Sequence, residues 1–210
     1  LVKAIDNVLV NKTSSSEVIK VFSRTLADLA EGEILQLQKA DLGDTAENDY
    51  YRIIFNKTAS LFVTSAESAA ISVSASAEKM KAVKSYAEYL GIAFQIRDDI
   101  FDYEENPDTG KPVGLDLKEK KITLPLLGAL KNASEEEAKD IRRKVCRIDE
   151  HPEWQKEIVE FVHRNGGLEY ARKRLYEYVE RAKLSLRPLG KSEDADKLAD
   201  IAEFTADRKS

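Results

Sequence analysis

Asp98, Asp99 and Asp102 stand in a D-D-x-x-D arrangement inside the run F-Q-I-R-D-D-I-F-D-Y, and Lys111 and Lys121 follow within one short span. On a helix, residues i and i+4 share a face, so the spacing predicts that Asp98 and Asp102 project together, with Asp99 about 100° around. Like charges at this spacing repel by a few tenths of a kcal/mol, a cost that a helix needing only solubility would avoid with a Lys or Arg at one position. A solvated acidic face is the plain alternative. The flanking Phe94, Ile96, Ile100, Phe101 and Tyr103 speak against it, because a solvated face has no need of them. Magnesium takes oxygen ligands, keeps several waters, and is commonly held by one or two carboxylates together with substrate phosphates. Acids for a hard cation beside bases for an anion therefore point to a site for a metal–diphosphate complex.

The elements that must position these residues read as helices throughout. Ser14 to Glu17 form a capping box ahead of an amphipathic run in which Val18, Val21, Phe22, Leu26, Leu29, Ala30 and Leu37 recur with helical spacing. Gly43 and Asp44 mark a turn. A second helix is predicted from about Glu47 to Ser74, and its small-residue stretch T-S-A-E-S-A-A-I-S-V-S-A-S belongs in the bundle core. Ser76 caps the next helix, which carries the aspartates, and Asn106 to Gly114 is a loop. Helix resumes over Ile122 to Leu130, with Pro125 near its start. Ser134 and Glu137 form another capping box, Pro152 takes a first helical position, and Gly166-Gly167 ends that helix. Helices over 168–187 and 193–206 follow, split by Pro188 and Gly190. No strand pattern competes, so residues 1–210 read as one all-α domain, an antiparallel helical bundle.

The 210 residues suffice for one sizeable core, and 42% hydrophobic with 34% charged residues is a globular composition. A net charge of −5 without a basic stripe argues against nucleic-acid binding. Cys146 is the sole cysteine, which excludes an internal disulfide and favours a reducing, cytoplasmic setting. No run of 18 apolar residues exists to span a membrane. His151 and His163 lie far from the aspartates and read as helix-end residues. Trp154, Tyr170, Tyr176 and Tyr178 read as packing residues.

The aspartate region resembles the trans-type isoprenyl diphosphate synthases, the polyprenyl synthetase family. Its second aspartate-rich motif, F-Q-x-x-D-D-x-x-D, is matched at every fixed position by residues 94–102. The pattern G-K-x-x-G-x-D-L is matched by Gly110, Lys111, Gly114, Asp116 and Leu117, and T-L-P by Thr123 to Pro125. Lys57-Thr58 matches a K-T pair on a helix facing the active site. Glu31 to Leu37 is similar to the E-G-E-x-L-Q-L stretch of the longer-chain bacterial members, the octaprenyl and polyprenyl diphosphate synthases. Lys120 departs from the pattern, standing where the family commonly has Gly, and a glycine there serves a backbone conformation that Lys finds costly.

The resemblance implies the isoprenoid synthase fold, usually a homodimer, with Mg2+ held by Asp98, Asp99 and Asp102 and bridging to an allylic diphosphate. Asp98 and Asp102 would be the metal-facing pair, and Asp99 a ligand or a supporting acid. Lys57, Lys111 and Lys121 match lysines that contact diphosphate oxygens, and Thr58 and Gln95 match groups whose oxygens face the carbocation. The implied reaction condenses isopentenyl diphosphate with an allylic diphosphate, farnesyl or geranyl, to a longer trans-polyprenyl diphosphate of medium or long chain. Such a product can be delivered to a membrane peripherally.

The family's first aspartate-rich motif has no match, since no D-D-x-x-D precedes Asp98. The chain is therefore expected to be the C-terminal part of a longer synthase and nearly inactive alone. The rival readings are a cyclase or head-to-head synthase on the same fold, disfavoured by Lys57-Thr58 and the G-K-x-x-G-x-D-L loop, and a catalytically silent helical subunit that modulates a synthase partner.

Overall fold

The computed structural model describes residues 16–104 and 113–208. Ten α-helices run through them in order: α1 Ser16–Leu42, α2 Glu47–Ile54, α3 Ser60–Ser72, α4 Ala77–Phe101, α5 Leu115–Lys118, α6 Leu124–Asn132, α7 Glu135–Cys146, α8 Trp154–Arg164, α9 Gly167–Ser185 and α10 Glu193–Asp207. Among the described residues there is no strand. The expected box at Ser14 and most of the expected loop, residues 106–112, lie outside the described residues.

Caps set several boundaries as the sequence predicts. The Ser76 hydroxyl accepts from the Lys79 amide at 3.4 Å and the Ser134 hydroxyl from the Glu137 amide at 3.2 Å. Pro125 sits in the first turn of α6, where a missing N–H costs nothing. Two boundaries differ. Pro152 lies in a turn and α8 begins two residues later, at Trp154. The helix expected over 168–187 ends at Ser185, and Arg187–Leu189 continues as a short 3-10 turn, the form helix ends take when carbonyls must find closer donors.

Helix α4 is the centre of the bundle and packs most extensively on α9 and α3. Its buried residues Tyr86, Ala93, Ile96 and Ile100 recur at helical spacing and meet Leu117, Leu124, Phe161 and Leu175 from the facing helices. Each such side chain contributes about 1.5–3 kcal/mol by leaving water. Gly91 lets the Phe55–Ala59 segment ahead of α3 come close, since a Cβ there would stand 2.6 Å from the Ala59 Cα. The turn between α1 and α2 is tied to α7 by Arg142, whose guanidinium donates to the Gly43 and Thr45 carbonyls at 2.9 and 3.2 Å.

Helices α2 and α3 form one continuous rod interrupted by a π-helical segment, Phe55–Ala59. The sequence predicts an unbroken helix here, from about Glu47 to Ser74. The extra residue per turn rotates Lys57 and Thr58 relative to the flanking turns, a distortion that recurs at functional sites. The small-residue stretch is only partly core: Thr64 and Ala70 are buried. Ser65, Ala66 and Ala69 instead line an apolar groove of about 730 Å3 with Phe62 and the α4 residues Val83, Ala87 and Leu90.

Candidate active site

A cleft of about 150 Å3 opens where α1, the π segment, α4 and the 114–123 turn converge, lined by Gln36, Tyr50, Lys57, Thr58, Gln95, Asp99, Asp116, Lys120, Lys121 and Thr123. A chain of hydrogen bonds crosses it. The Thr58 hydroxyl donates to Gln95 Oε1 at 2.7 Å, and Gln95 Nε2 donates to Asp99 Oδ1 at 2.9 Å. The Tyr50 hydroxyl donates to Asp99 Oδ2 at 2.6 Å. Gln95 and Asp99 are four apart on α4, so the helix itself places them in register.

The cleft pairs acids with ammonium groups. Lys57 Nζ lies 2.6 Å from Glu33 and donates to Gln36 Oε1 at 2.9 Å. Lys121 Nζ lies 3.1 Å from Asp116 and 2.6 Å from Glu119. Asp99 is 2% exposed, and burial pushes its carboxyl up to about 8. The Tyr50 and Gln95 donors pull it back, while the neighbouring Asp116 and Asp98 charges raise it further. The same burial raises the Tyr50 hydroxyl well above its ordinary range, so Tyr50 acts as a donor.

The three aspartates of the motif point to three different tasks. Only Asp99 lines the cleft. Asp98 turns to the C-terminal end of α10, where it pairs with Arg208. Asp102 follows the last residue of α4 and is 5% exposed; its two oxygens accept from the Leu115 and Asp116 amides at 2.9 and 3.0 Å. Asp102 keeps the helical register that the sequence predicts, its N–H donating to the Asp98 carbonyl at 3.2 Å, and its side chain anchors the turn that carries Asp116. Ile100 is fully buried in the core, and Phe94 and Phe101 lie beneath the Arg208 guanidinium, which is 4.3 and 5.2 Å from their ring centroids. Lys111 lies outside the described residues.

Tyr50, Asp116 and Lys120 join the site without having been singled out for it. Asp116 carries a sequence signal, the D-L of the loop pattern, whereas Tyr50 is 49 residues from its partner and carries none. Lys120 adopts φ +56°, the left-handed conformation that a glycine would meet without strain, as its departure from the loop pattern predicts. His163 bonds the Tyr103 carbonyl at 3.0 Å and His151 stacks on Trp154, both away from the cleft.

These residues fit a hard cation that shares its coordination with a bound anion. Asp99 and Asp116 supply carboxylate oxygens, and the repulsion between them is what a divalent ion relieves. Among the described residues no group of three or more acidic, histidine or cysteine side chains could cage an ion by itself. Lysines 57 and 121 supply mobile ammonium donors suited to phosphate oxygens.

The polyprenyl synthetase family model matches residues 2–162. The all-trans-nonaprenyl-diphosphate synthase (geranyl-diphosphate specific) of Rhodobacter capsulatus is 38% identical over 192 residues, which cover 91% of this chain and 58% of the relative. The octaprenyl diphosphate synthase of Escherichia coli K12 is 33% identical over 201 residues, 95% of this chain and 62% of the relative. Among solved structures, the polyprenyl synthase of Caulobacter crescentus CB15, complexed with calcium and isoprenyl diphosphate, matches with a TM-score of 0.86 at 31% identity. That match covers 96% of this chain and 62% of the other. The chain thus spans about three fifths of the length of the relatives it matches.

Proposed function

This chain belongs to the polyprenyl synthetase family, and we propose from that premise that it contributes the diphosphate-ionising part of a trans-polyprenyl diphosphate synthase. The substrates are isopentenyl diphosphate and an allylic diphosphate, farnesyl or geranyl, and the product is a longer polyprenyl diphosphate. Nonaprenyl and octaprenyl synthases among the relatives support a medium or long chain. The observation that carries the reading is Asp99: a buried carboxylate, oriented by Tyr50 and Gln95, beside Asp116 and within one cleft with Lys57 and Lys121.

The cation is taken to be Mg2+, held by the aspartates of the motif together with Asp116. When bound, it neutralises charge on the diphosphate as the carbon–oxygen bond breaks. Lys57 and Lys121 exchange their present carboxylate partners for diphosphate oxygens, and as mobile point charges they follow the leaving group. The resemblance implies that Lys111 joins them. The bonding pair leaves with the diphosphate, the isopentenyl double bond forms the new carbon–carbon bond, and the proton lost from the isopentenyl carbon passes to the released diphosphate. Thr58 and Gln95 present oxygen dipoles to the allylic cation, oriented by the hydrogen bonds that fix the Gln95 amide. No histidine lines the cleft, in keeping with a reaction that needs no protein base.

The exposed apolar residues of α1, Leu26, Ile34 and Leu37, suit the homodimer that the resemblance implies, with the protein in the cytoplasm. Among the described residues no helix is long and apolar enough to cross a membrane. The test is magnesium-dependent incorporation of labelled isopentenyl diphosphate into farnesyl or geranyl diphosphate. It is run on this chain alone and on this chain supplied with an upstream segment of the relatives' length. The reading expects turnover in the second case, little in the first, and loss in Asp99→Asn and Lys121→Ala. Turnover unaffected by either substitution, or products confined to C15 and C20, would overturn the site or the chain-length part respectively.

A further inference from the structure

Arg208, just past the last residue of α10, sits on the motif from outside the cleft. Its Nη2 pairs with the Asp98 carboxylate and also lies 3.4 Å from the Phe94 carbonyl. The guanidinium stacks 4.3 Å from the centroid of the Phe94 ring. The Arg208 carbonyl in turn accepts from Arg97 Nη2 at 3.0 Å, and Arg97 lies 4.1 Å over the Phe101 ring. Arg97 also pairs with Glu104 at 3.4 Å. Arg208 is thus fastened to the same two helical turns that carry Asp98 and Asp99.

The arrangement gives Asp98 a positive partner drawn from the chain itself. A carboxylate one residue from the buried Asp99, with Asp102 on the next turn, lies in a concentration of negative charge that favours a cation. The guanidinium answers that need, but it is tethered, half-buried and bound to rings that hold it whether or not the carboxylate is free. A guanidinium held on Asp98 repels a divalent ion that approaches the same carboxylate, so the two positive groups compete for it.

We propose that Arg208 is a stand-in for the site's divalent cation at Asp98, so that a metal–diphosphate complex displaces it and releases the end of α10 from α4. The inference rests on the reading of the site as a cation–diphosphate site. It makes Arg208 a positioning residue that acts through Asp98, and it couples the position of the C-terminal helix to the loading of the site.

The test is manganese binding to the whole chain, followed by the resonance of the free ion, with and without inorganic pyrophosphate. Removing the competitor in Arg208→Ala is expected to tighten manganese binding about five- to tenfold, and Arg208→Lys to retain part of the competition. In an Asp98→Asn background the Arg208 substitution is expected to have no effect on affinity. Hydrogen exchange of the last turn of α10 is expected to rise in the wild type when manganese and pyrophosphate are added. Equal manganese affinity in wild type and Arg208→Ala, or an Arg208 effect that survives Asp98→Asn, would overturn the proposal while leaving the site intact. Manganese binding to neither protein would overturn the cation reading of the site together with the proposal.

Discussion

Asp99→Asn is expected to make the chain more stable, increasingly so as the pH rises. The carboxyl is 2% exposed, and burial pushes it from 3.8 up to about 8. A group whose folded pKa is raised contributes its full stability below the unfolded value and loses it as pH climbs through the folded one. At about 1.4 kcal/mol per unit, the interval from 3.8 to neutral pH amounts to on the order of 4 kcal/mol. Asparagine does not ionise and so sheds this loss. Its amide nitrogen donates and does not accept, so one of the Gln95 and Tyr50 donors loses its acceptor, which forfeits about 1 kcal/mol. The net gain near neutral pH is about 2–3 kcal/mol, or roughly 5–10 °C in melting temperature for a chain of this size. Thermal and urea unfolding of both proteins at several pH values between 5 and 8, in chelator, measures the difference. Asp98→Asn serves as the control, because Asp98 is partly exposed and paired with Arg208. Magnesium with pyrophosphate is expected to reverse the ranking, since only the wild type gains a ligand. A difference that shrinks with rising pH, or an Asn variant less stable than wild type at neutral pH, would refute the account of this carboxylate.

Other substitutions test the frame around the cleft. Asp102→Ala leaves the Leu115 and Asp116 amides without their acceptor in a buried place, and is expected to cost about 2–4 kcal/mol in urea unfolding. Lys120→Gly relieves a left-handed residue and forgoes only a partly exposed pairing with Asp149, so the variant is expected to gain up to about 1 kcal/mol. Gly91→Ala drives a methyl group into the Ala59 backbone and is expected to lose about 1–3 kcal/mol; an unchanged melting temperature would mean that the Phe55–Ala59 segment and α4 are not packed this closely.

The helices were legible because their signals are local. Ser76 and Ser134 announce helix starts by their own hydroxyls. Where the reading drifted, the deciding interaction came from elsewhere in the chain. The π segment at Phe55–Ala59 adds one residue to a turn without altering the composition that marks a helix. Asp102 was legible as the partner of Asp98 on the helix, but its bonds to two amides more than ten residues downstream carry no local signal. Tyr50 entered the site through a bond across 49 residues, and Arg208 reached Asp98 across 110. Lys120 is the instructive exception: its departure from a loop pattern carried conformational information, and its φ of +56° agrees.

The most direct test of the central claim is a calorimetric titration of this chain with a non-ionisable thiolo analogue of farnesyl diphosphate, with and without magnesium, in wild type and in Lys57→Ala, Lys121→Ala and Asp99→Asn. The account predicts binding that requires magnesium, weakens at least tenfold in each lysine variant, as loss of a charged contact of about 1.5–3 kcal/mol implies, and disappears in Asp99→Asn. Binding of equal strength without magnesium, or affinity indifferent to all three substitutions, would contradict it.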